Sequence, residues 1–386
     1  MPNAENQILT THAGSLPRSK RLAEMLGRKS RHEPVDEGLL EQMTAESTAR
    51  VIARQLECGI DIGNNGEQAR ESFFTYVQHR MTGFSGKSQR PVMSDLRRYP
   101  SYFELLRDRT RANVDLLHAP QATGEVRYIG LDAVKKECAD FRRALDAQKS
   151  RFVEPFMTSA SPGIIAAAML NAHYASLADY IAALGTALRT EYETIVNSGF
   201  VLQIDAPDLA MERHTSFAGK PLKEFLIFVD EVITAINRAI DGLPKEKVRL
   251  HVCWGNYEGP HTDDVALDEI AEHLYRAEVS ALLLSMANPR HEHEYRSLKS
   301  HPLPESMKLI VGAIDSTTNY VEHPEVVADR IERAAHAVGD PRRIMAGTDC
   351  GFDTSAGFGM VAEELVWEKL RALSEGAAIA THRLFG

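Results

Sequence analysis

His251-Val252-Cys253 sets an imidazole and a thiol two residues apart at the end of the apolar run that begins at Val248. In an extended strand, residues i and i+2 point to the same face, so His251 and Cys253 can address one point in space. A second apolar run, Ile344-Met345-Ala346-Gly347-Thr348-Asp349-Cys350, ends on another thiol. If the two runs share one sheet, the three side chains form a His-Cys-Cys donor set. Three protein ligands with one open position describe a catalytic zinc rather than a structural one. Thiolate and imidazole suit zinc, which adds no redox chemistry of its own. A single His-x-Cys is more often coincidence than ligand; the second thiol at a strand end is what strengthens the pattern.

Such a site needs strands that end on one side. Strand-like runs are expected at 8–15, 60–64, 152–158, 200–205, 248–253, 281–286, 309–315 and 344–350. Helical patterns fall between them at 41–58, 178–198, 222–241, 262–277, 323–338 and 361–374. In the fifth of these, Pro324 suits a first helical turn, and Val327, Ile331 and Ala334 form an i, i+4, i+7 stripe. Eight strands alternating with helices predict an α/β fold with a parallel sheet, and eight closes a (β/α)8 TIM barrel in one domain, 1–386. The stretch 81–128 interrupts the alternation with Gly83, Gly86, Pro91, Pro100 and Pro120. A long excursion after the second strand is expected to be an insertion lying over the barrel mouth as a lid.

Barrel enzymes gather their chemistry at the C-terminal ends of the strands. Those positions are Ser15, Glu67, Asp205, His251 with Cys253, Ser285, Asp315 and Cys350. Polar strand ends are common, so the kinds of residue matter more than their number. Asp205 and Glu67 suit a substrate ammonium, although either acid could instead be tied to backbone donors nearby. Two acids beside a metal that activates thiols suggest an amino-acid thiol as substrate. The run His291-Glu292-His293-Glu294 is expected to be a solvated loop or helix start, with His291 its member of interest.

Composition narrows the class. The 386 residues are 44% hydrophobic and 25% charged, with net charge −10 and no dense basic block, which argues against nucleic-acid binding. No apolar stretch approaches the length of a membrane span, and the N-terminus lacks signal-peptide features. Four unpaired-looking cysteines point to a reducing cytoplasm, with Cys58 and Cys138 bland. Neither GxGxxG after a strand nor GxxxxGK[ST] occurs.

Thr10-Thr11-His12-Ala13-Gly14-Ser15-Leu16-Pro17-Arg18 resembles the opening of the catalytic domain of the cobalamin-independent methionine synthase family. Asn65-Gly66-Glu67, Gln203-Ile204-Asp205-Ala206-Pro207, His251-Val252-Cys253 and Asp349-Cys350-Gly351 resemble further motifs of that domain, in order, from about residue 8 to residue 385. The resemblance implies a stand-alone catalytic barrel in which a zinc-bound homocysteine-type thiolate attacks an alkyl donor. It implies zinc ligation by His251, Cys253 and Cys350. It also implies contacts of Ala13, Gly14 and Ser15 with the amino-acid backbone, and of Glu67 and Asp205 with its ammonium. Zinc lowers a thiol's pKa, so a thiolate nucleophile exists at neutral pH.

Two positions depart from the family pattern. Ser285 stands where the family carries a glutamate ligand, and Asp315 stands where the long synthases carry a histidine. Asp315 is therefore expected to be a different acid/base group beside the reacting centre. The donor is left open between a folate, a methylated corrinoid protein and a small molecule, with Trp254, Tyr257, Tyr99 and Tyr102 as aromatic groups that could stack on it. A homo-oligomer is possible. A rival reading is the epoxyalkane:coenzyme M transferase type, for which Arg18 and Arg97-Arg98-Tyr99 would supply cations. A non-catalytic zinc- or thiol-binding relative is the other alternative.

Overall fold

The computed structural model describes residues 6–109, 114, 116 and 118–386. Its strands are β1 (Phe84–Ser85), β2 (Gln121–Ala122), β3 (Phe156–Ala160), β4 (Val201–Asp205), β5 (Val248–Val252), β6 (Ala281–Ser285), β7 (Lys308–Ile314) and β8 (Ile344–Thr348). β3 to β8 form one parallel sheet in sequence order, and β1 pairs with β2 as a separate antiparallel ribbon. Nearly every residue of β3–β8 is buried, which is why these runs read as continuously apolar rather than alternating. The register pairs Asp205 with His251 and Ser285 with Gly312, so the strands end on one side of the sheet at similar heights.

Helices fill the crossovers close to their expected places: Glu37–Glu57, Leu177–Asn197, Leu222–Ile240, Leu267–Leu274, Pro324–Val338 and Glu363–Phe385. Pro324 opens its helix at the first turn, and Gly339 ends it in the left-handed conformation at φ 85°. Val327, Ile331 and Ala334 are fully buried beneath it. The helix expected at 262–277 begins only at Leu267, because Asp264 is drawn inward among histidines instead.

The expected strands at 8–15 and 60–64 are not regular strands. Thr10 makes a single parallel bridge with Ala346, through Thr11 N–H to Ala346 O (2.8 Å) and Ala346 N–H to Leu9 O (2.9 Å). Ile62 N–H donates to Thr10 O (2.9 Å), and Phe156 N–H donates to Gly63 O (3.0 Å). Ladder positions are taken by a side chain: the Asp61 carboxylate accepts from Thr10 N (2.8 Å) and Thr10 Oγ1 (2.9 Å). These two segments nonetheless border β8 on one side and β3 on the other. A small apolar cluster, separate from the main core, takes Leu9, Ile62, Phe156, Val201, Leu283, Ile310 and Met345 from seven different segments. Arg249 of β5 lies 3.8 Å from the Phe156 ring centre and donates to Thr11 Oγ1 and His12 O.

The stretch 81–128 carries the ribbon β1–β2 and the helices Ser94–Arg98 and Pro100–Arg109. Among the described residues, no helix is long and apolar enough to cross a membrane.

Candidate thiol and metal site

His251 ends the pairing of β5 with β4, Cys253 follows β5 by one residue, and Cys350 follows β8 by two. The fold brings them together: their donor atoms all lie within 4.8 Å of one another, and all three residues are buried. His251 Nδ1 faces Asp205 Oδ1 at 3.0 Å and Nε2 faces Asp349 O at 3.1 Å. Hydrogen bonding from Cys350 outweighs burial and, with His251 nearby, holds Cys253 well below the ordinary thiol range. The same bond, with burial, pushes Cys350 up. Burial alone would lower His251, but the Cys253 charge and Asp205 raise it to about 10. Two thiols and an imidazole sharing protons in a buried site are a donor set that fits a divalent ion of borderline softness.

Asp349, which the sequence places in a motif without giving it a role, fixes the turn that carries Cys350. Its carboxylate accepts from the backbone N–H groups of Met286 (2.8 Å), Ala287 (2.9 Å) and Asn288 (2.9 Å), and from Asn288 Nδ2 (3.1 Å). Burial, with Asp315 nearby, raises it to about 7 despite those donors. Ser285 Oγ donates to Asp349 O at 2.9 Å, so this hydroxyl is engaged with the backbone.

A second group of side chains lies beside the thiols. Gly14 adopts φ +136°, and a Cβ there would sit 2.7 Å from Glu67 Oε1. Only glycine permits both the conformation and the contact. Glu67 itself adopts φ +56°. Its Oε1 accepts from Thr158 Oγ1 (2.9 Å), while Oε2 is buried without a partner. Burial, then the charge of Asp205, raises Glu67 to about 7. Gln203, on the same face of β4 as Asp205, donates to Ala13 O (2.5 Å) and Asp205 Oδ1 (2.7 Å). Its Oε1 and the Ser15 hydroxyl are also buried without partners among the described residues. This end of the site thus holds two buried oxygens, Glu67 Oε2 and Gln203 Oε1, and the Ser15 hydroxyl, none of which is hydrogen-bonded.

A cavity of about 1230 Å³ contains Ser15, Glu67, Asp205, His251, Cys253 and Cys350 at one end. Its remaining wall is mostly apolar, with Phe74, Met93, Leu96, Leu106, Met211 and Phe358, several of them from the 81–128 stretch. Tyr257 lines it; Tyr99 and Tyr102 do not. Asp315 lies instead on a neighbouring cavity of about 260 Å³, with Ser285, Trp254 and Cys350. Its carboxylate accepts from Thr317 N and Oγ1 (both 2.8 Å) and Thr318 Oγ1 (3.2 Å), which ties it to its own loop. Arg18 is committed to Asp353 (3.1 Å) and Glu67 O (2.7 Å), and Arg98 to Asp263 (2.7 Å). Cys58 and Cys138 are buried thiols pushed up by burial, Cys138 to about 11, away from this site.

No protein-family model matches the chain. It is similar to a 2-hydroxypropyl-CoM lyase of Xanthobacter autotrophicus, with 24% identity covering 91% of this chain and 89% of that one. It is similar to the same degree, 24%, to a methionine synthase of Sulfolobus acidocaldarius, covering 97% of this chain and 93% of that one. Its fold matches a B12-independent methionine synthase from Shewanella sp. W3-18-1 with a TM-score of 0.70 at 22% identity, covering 98% and 99% of the two chains. A putative vitamin-B12 independent methionine synthase from Listeria monocytogenes matches with a TM-score of 0.63 at 17% identity, again over 98% and 99%. The resemblance to the cobalamin-independent methionine synthase family, carried in the sequence by a handful of short motifs, thus extends along nearly the whole chain in both sequence and fold.

Proposed function

We propose that this chain is a zinc-dependent S-alkyltransferase that moves an alkyl group, a methyl in the simplest case, to a homocysteine-type thiol and so forms methionine. One observation carries the reading. The His251, Cys253 and Cys350 donors line the same cavity as Asp205, Ser15 and Glu67, and Ser15 Oγ and Glu67 Oε2 are buried there without partners. A ligand with a thiol at one end and an ammonium at the other answers both halves. The relatives named methionine synthase support the same reading.

His251, Cys253 and Cys350 would hold the zinc, which when bound lowers the pKa of a substrate thiol and makes it a nucleophile near neutrality. Asp205 orients the His251 ring through Nδ1, the partner that fixes a ligating histidine. Glu67 and Asp205 receive the ammonium, whose N–H groups satisfy Glu67 Oε2. The Ala13-Gly14-Ser15 turn lies against the rest of the amino-acid backbone. Asp315 handles protons on the Cys350 side, from the adjoining small cavity. The apolar chamber admits the alkyl donor and excludes water, under a lid built by 81–128. The scaffold in this reading is a closed (β/α)8 barrel, in which the 8–15 and 60–64 segments join β8 to β3. The hydrogen bonds at Thr10, Ile62 and Gly63, and the seven-segment apolar cluster, support closure.

The apolar chamber and the 2-hydroxypropyl-CoM lyase relative favour a second reading, an epoxyalkane:coenzyme M type of transfer with the same thiol-activating donors. Competition between acceptors separates the two. Zinc-loaded protein that alkylates homocysteine, with 2-mercaptoethanesulfonate a poor substitute, supports the first; the reverse preference supports the second. Transfer to neither thiol from folate, corrinoid or small-molecule donors would contradict both.

A further inference from the structure

A second group of metal-type donors lies outside the thiol site. His261 Nδ1 and His291 Nε2 both converge on Asp264 Oδ2, at 2.8 and 2.7 Å, and the three ligand atoms lie within 4.8 Å of one another. His261 and His291 are buried, and the Asp264 side chain is 4% exposed. The three come from two loops, those following β5 and β6, and share no sequence pattern.

The surroundings treat these groups as ligands. The second nitrogen of His261 faces the carbonyl of Tyr257 at 3.1 Å. A carbonyl only accepts, so that nitrogen carries a proton; Nδ1, which faces the acceptor-only Asp264 carboxylate, donates to it in the metal-free protein and would give up that proton to a metal. His291 turns its other nitrogen toward Glu294 Oε1 at 3.5 Å, and its ring is stacked on Trp254 at 4.0 Å. The other oxygen of Asp264 lies 2.9 Å from His214 Nδ1, off hydrogen-bond alignment. An acceptor on the far nitrogen is how a ligating histidine is held, and His261 has one in the Tyr257 carbonyl, while the Glu294 carboxylate lies near the far nitrogen of His291. His261 adopts φ +49°, a conformation an ordinary residue holds only where its surroundings demand it. His261 and His291 line the 260 Å³ cavity, which gives an ion a route in and room for water on an open position.

We propose that His261, Asp264 and His291 form a second cation site, for a divalent first-row metal of the zinc or ferrous class. Two imidazoles and one carboxylate are the donors such ions accept, and thiolate is absent. An ion there staples the loop that starts at Cys253 to the loop after β6. His214 joins the loop after β4 to them through Asp264. The inference stands apart from the thiol chemistry and holds or fails without it.

The test loads metal-free, full-length protein with Co2+ and counts the ions retained after gel filtration. The wild-type chain is expected to retain two ions, one with a thiolate-to-cobalt absorption band and one with ligand-field bands alone. The triple variant His251→Ala/Cys253→Ser/Cys350→Ser, which leaves the cluster intact, is expected to lose the thiolate band and keep one ion. His261→Gln/His291→Gln is expected to keep the thiolate band and lose the other ion. A triple variant that is folded by circular dichroism and retains no ion overturns the proposal, whatever becomes of the histidine variant. So does a histidine variant that retains the wild-type number of ions.

Discussion

Around Glu137 and Glu191 every buried charge is matched, whereas around Glu67 and Asp205 several buried polar atoms, Glu67 Oε2, Gln203 Oε1 and Ser15 Oγ among them, have no partner. In the first region Arg70 bonds Glu137 (3.0 Å), and Arg80 bridges Glu137 (2.5 Å) and Glu191 (3.0 Å). Tyr76, Tyr128 and Ser159 complete Glu191. Burial would raise Glu137, but the two guanidiniums hold it down at about 2. In the second region burial and a neighbouring carboxylate raise Glu67 to about 7, although Arg70 and Arg18 nearby pull it down. The two regions touch: Arg70 donates to Thr158 O and Oγ1, and Thr158 Oγ1 donates to Glu67. Asn65-Gly66-Glu67 is divided between them, with Asn65 Nδ2 on Glu137 (3.2 Å) and Glu67 in the cavity. The matched cluster is scaffold; the unmatched one beside it, in a cavity, is where the proposed function places the substrate ammonium.

The sharpest way to break this contrast is to cut both clusters. Glu191→Ala leaves Arg80 buried with half its partners, and is expected to cost about 3–5 kcal/mol in urea unfolding. A loss below about 1 kcal/mol would remove the distinction. Glu67→Gln should act in the opposite direction. Because the folded protein holds Glu67 at about 7, above its ordinary 4.5, the acid favours folding when protonated and loses that stability as pH rises from 4.5 through 7. Above pH 7 the ionised carboxylate is a penalty of up to about 3 kcal/mol in the ligand-free protein. Glu67→Gln is thus expected to be more stable than the parent at pH 8, and equal to it near pH 4, while binding methionine far more weakly.

The same titration predicts a smaller effect on ligand binding. Methionine, which has the ammonium but no thiol, requires ionised Glu67. Its affinity should fall roughly tenfold per pH unit below about 7, and the fall should vanish in Glu67→Gln. A profile shared by both proteins would place the dependence elsewhere. The smallest effect belongs to Ser15→Ala. Its hydroxyl makes no bond in the free protein, so stability should change by less than about 0.5 kcal/mol while methionine affinity drops about three- to tenfold.

What the sequence disclosed follows the same division. The parallel strands from β3 onward lie within a few residues of their apolar runs, because burial on both strand faces writes itself as composition; four of the longer helices match their stripes as closely, but the last runs on to Phe385 and the helix Leu131–Asp146 is one the stripes do not give. His251, Cys253 and Cys350 were legible because a period of two and a strand end fix where side chains point. The segments at 8–15 and 60–64 were misread as regular strands, since apolar content does not reveal that Asp61 takes the ladder positions of Thr10. Asp349 and the Asp264 cluster were illegible for a related reason. Their partners come from separate loops, and loop conformation leaves no periodic trace. Asp349 had one available signal, its place between a strand end and Cys350. His291 and Glu294, expected in solvent, are buried by that cluster, while Glu292 and His293 remain exposed.

The central claim is that the thiol of an amino acid joins the His251, Cys253 and Cys350 donors. X-ray absorption at the zinc edge of zinc-loaded protein tests it most directly, with and without homocysteine. The account predicts about two sulfur scatterers without the thiol and three with it, and no third sulfur when methionine replaces homocysteine. A sulfur count unchanged by homocysteine, or no zinc retained by the wild-type chain, would contradict it.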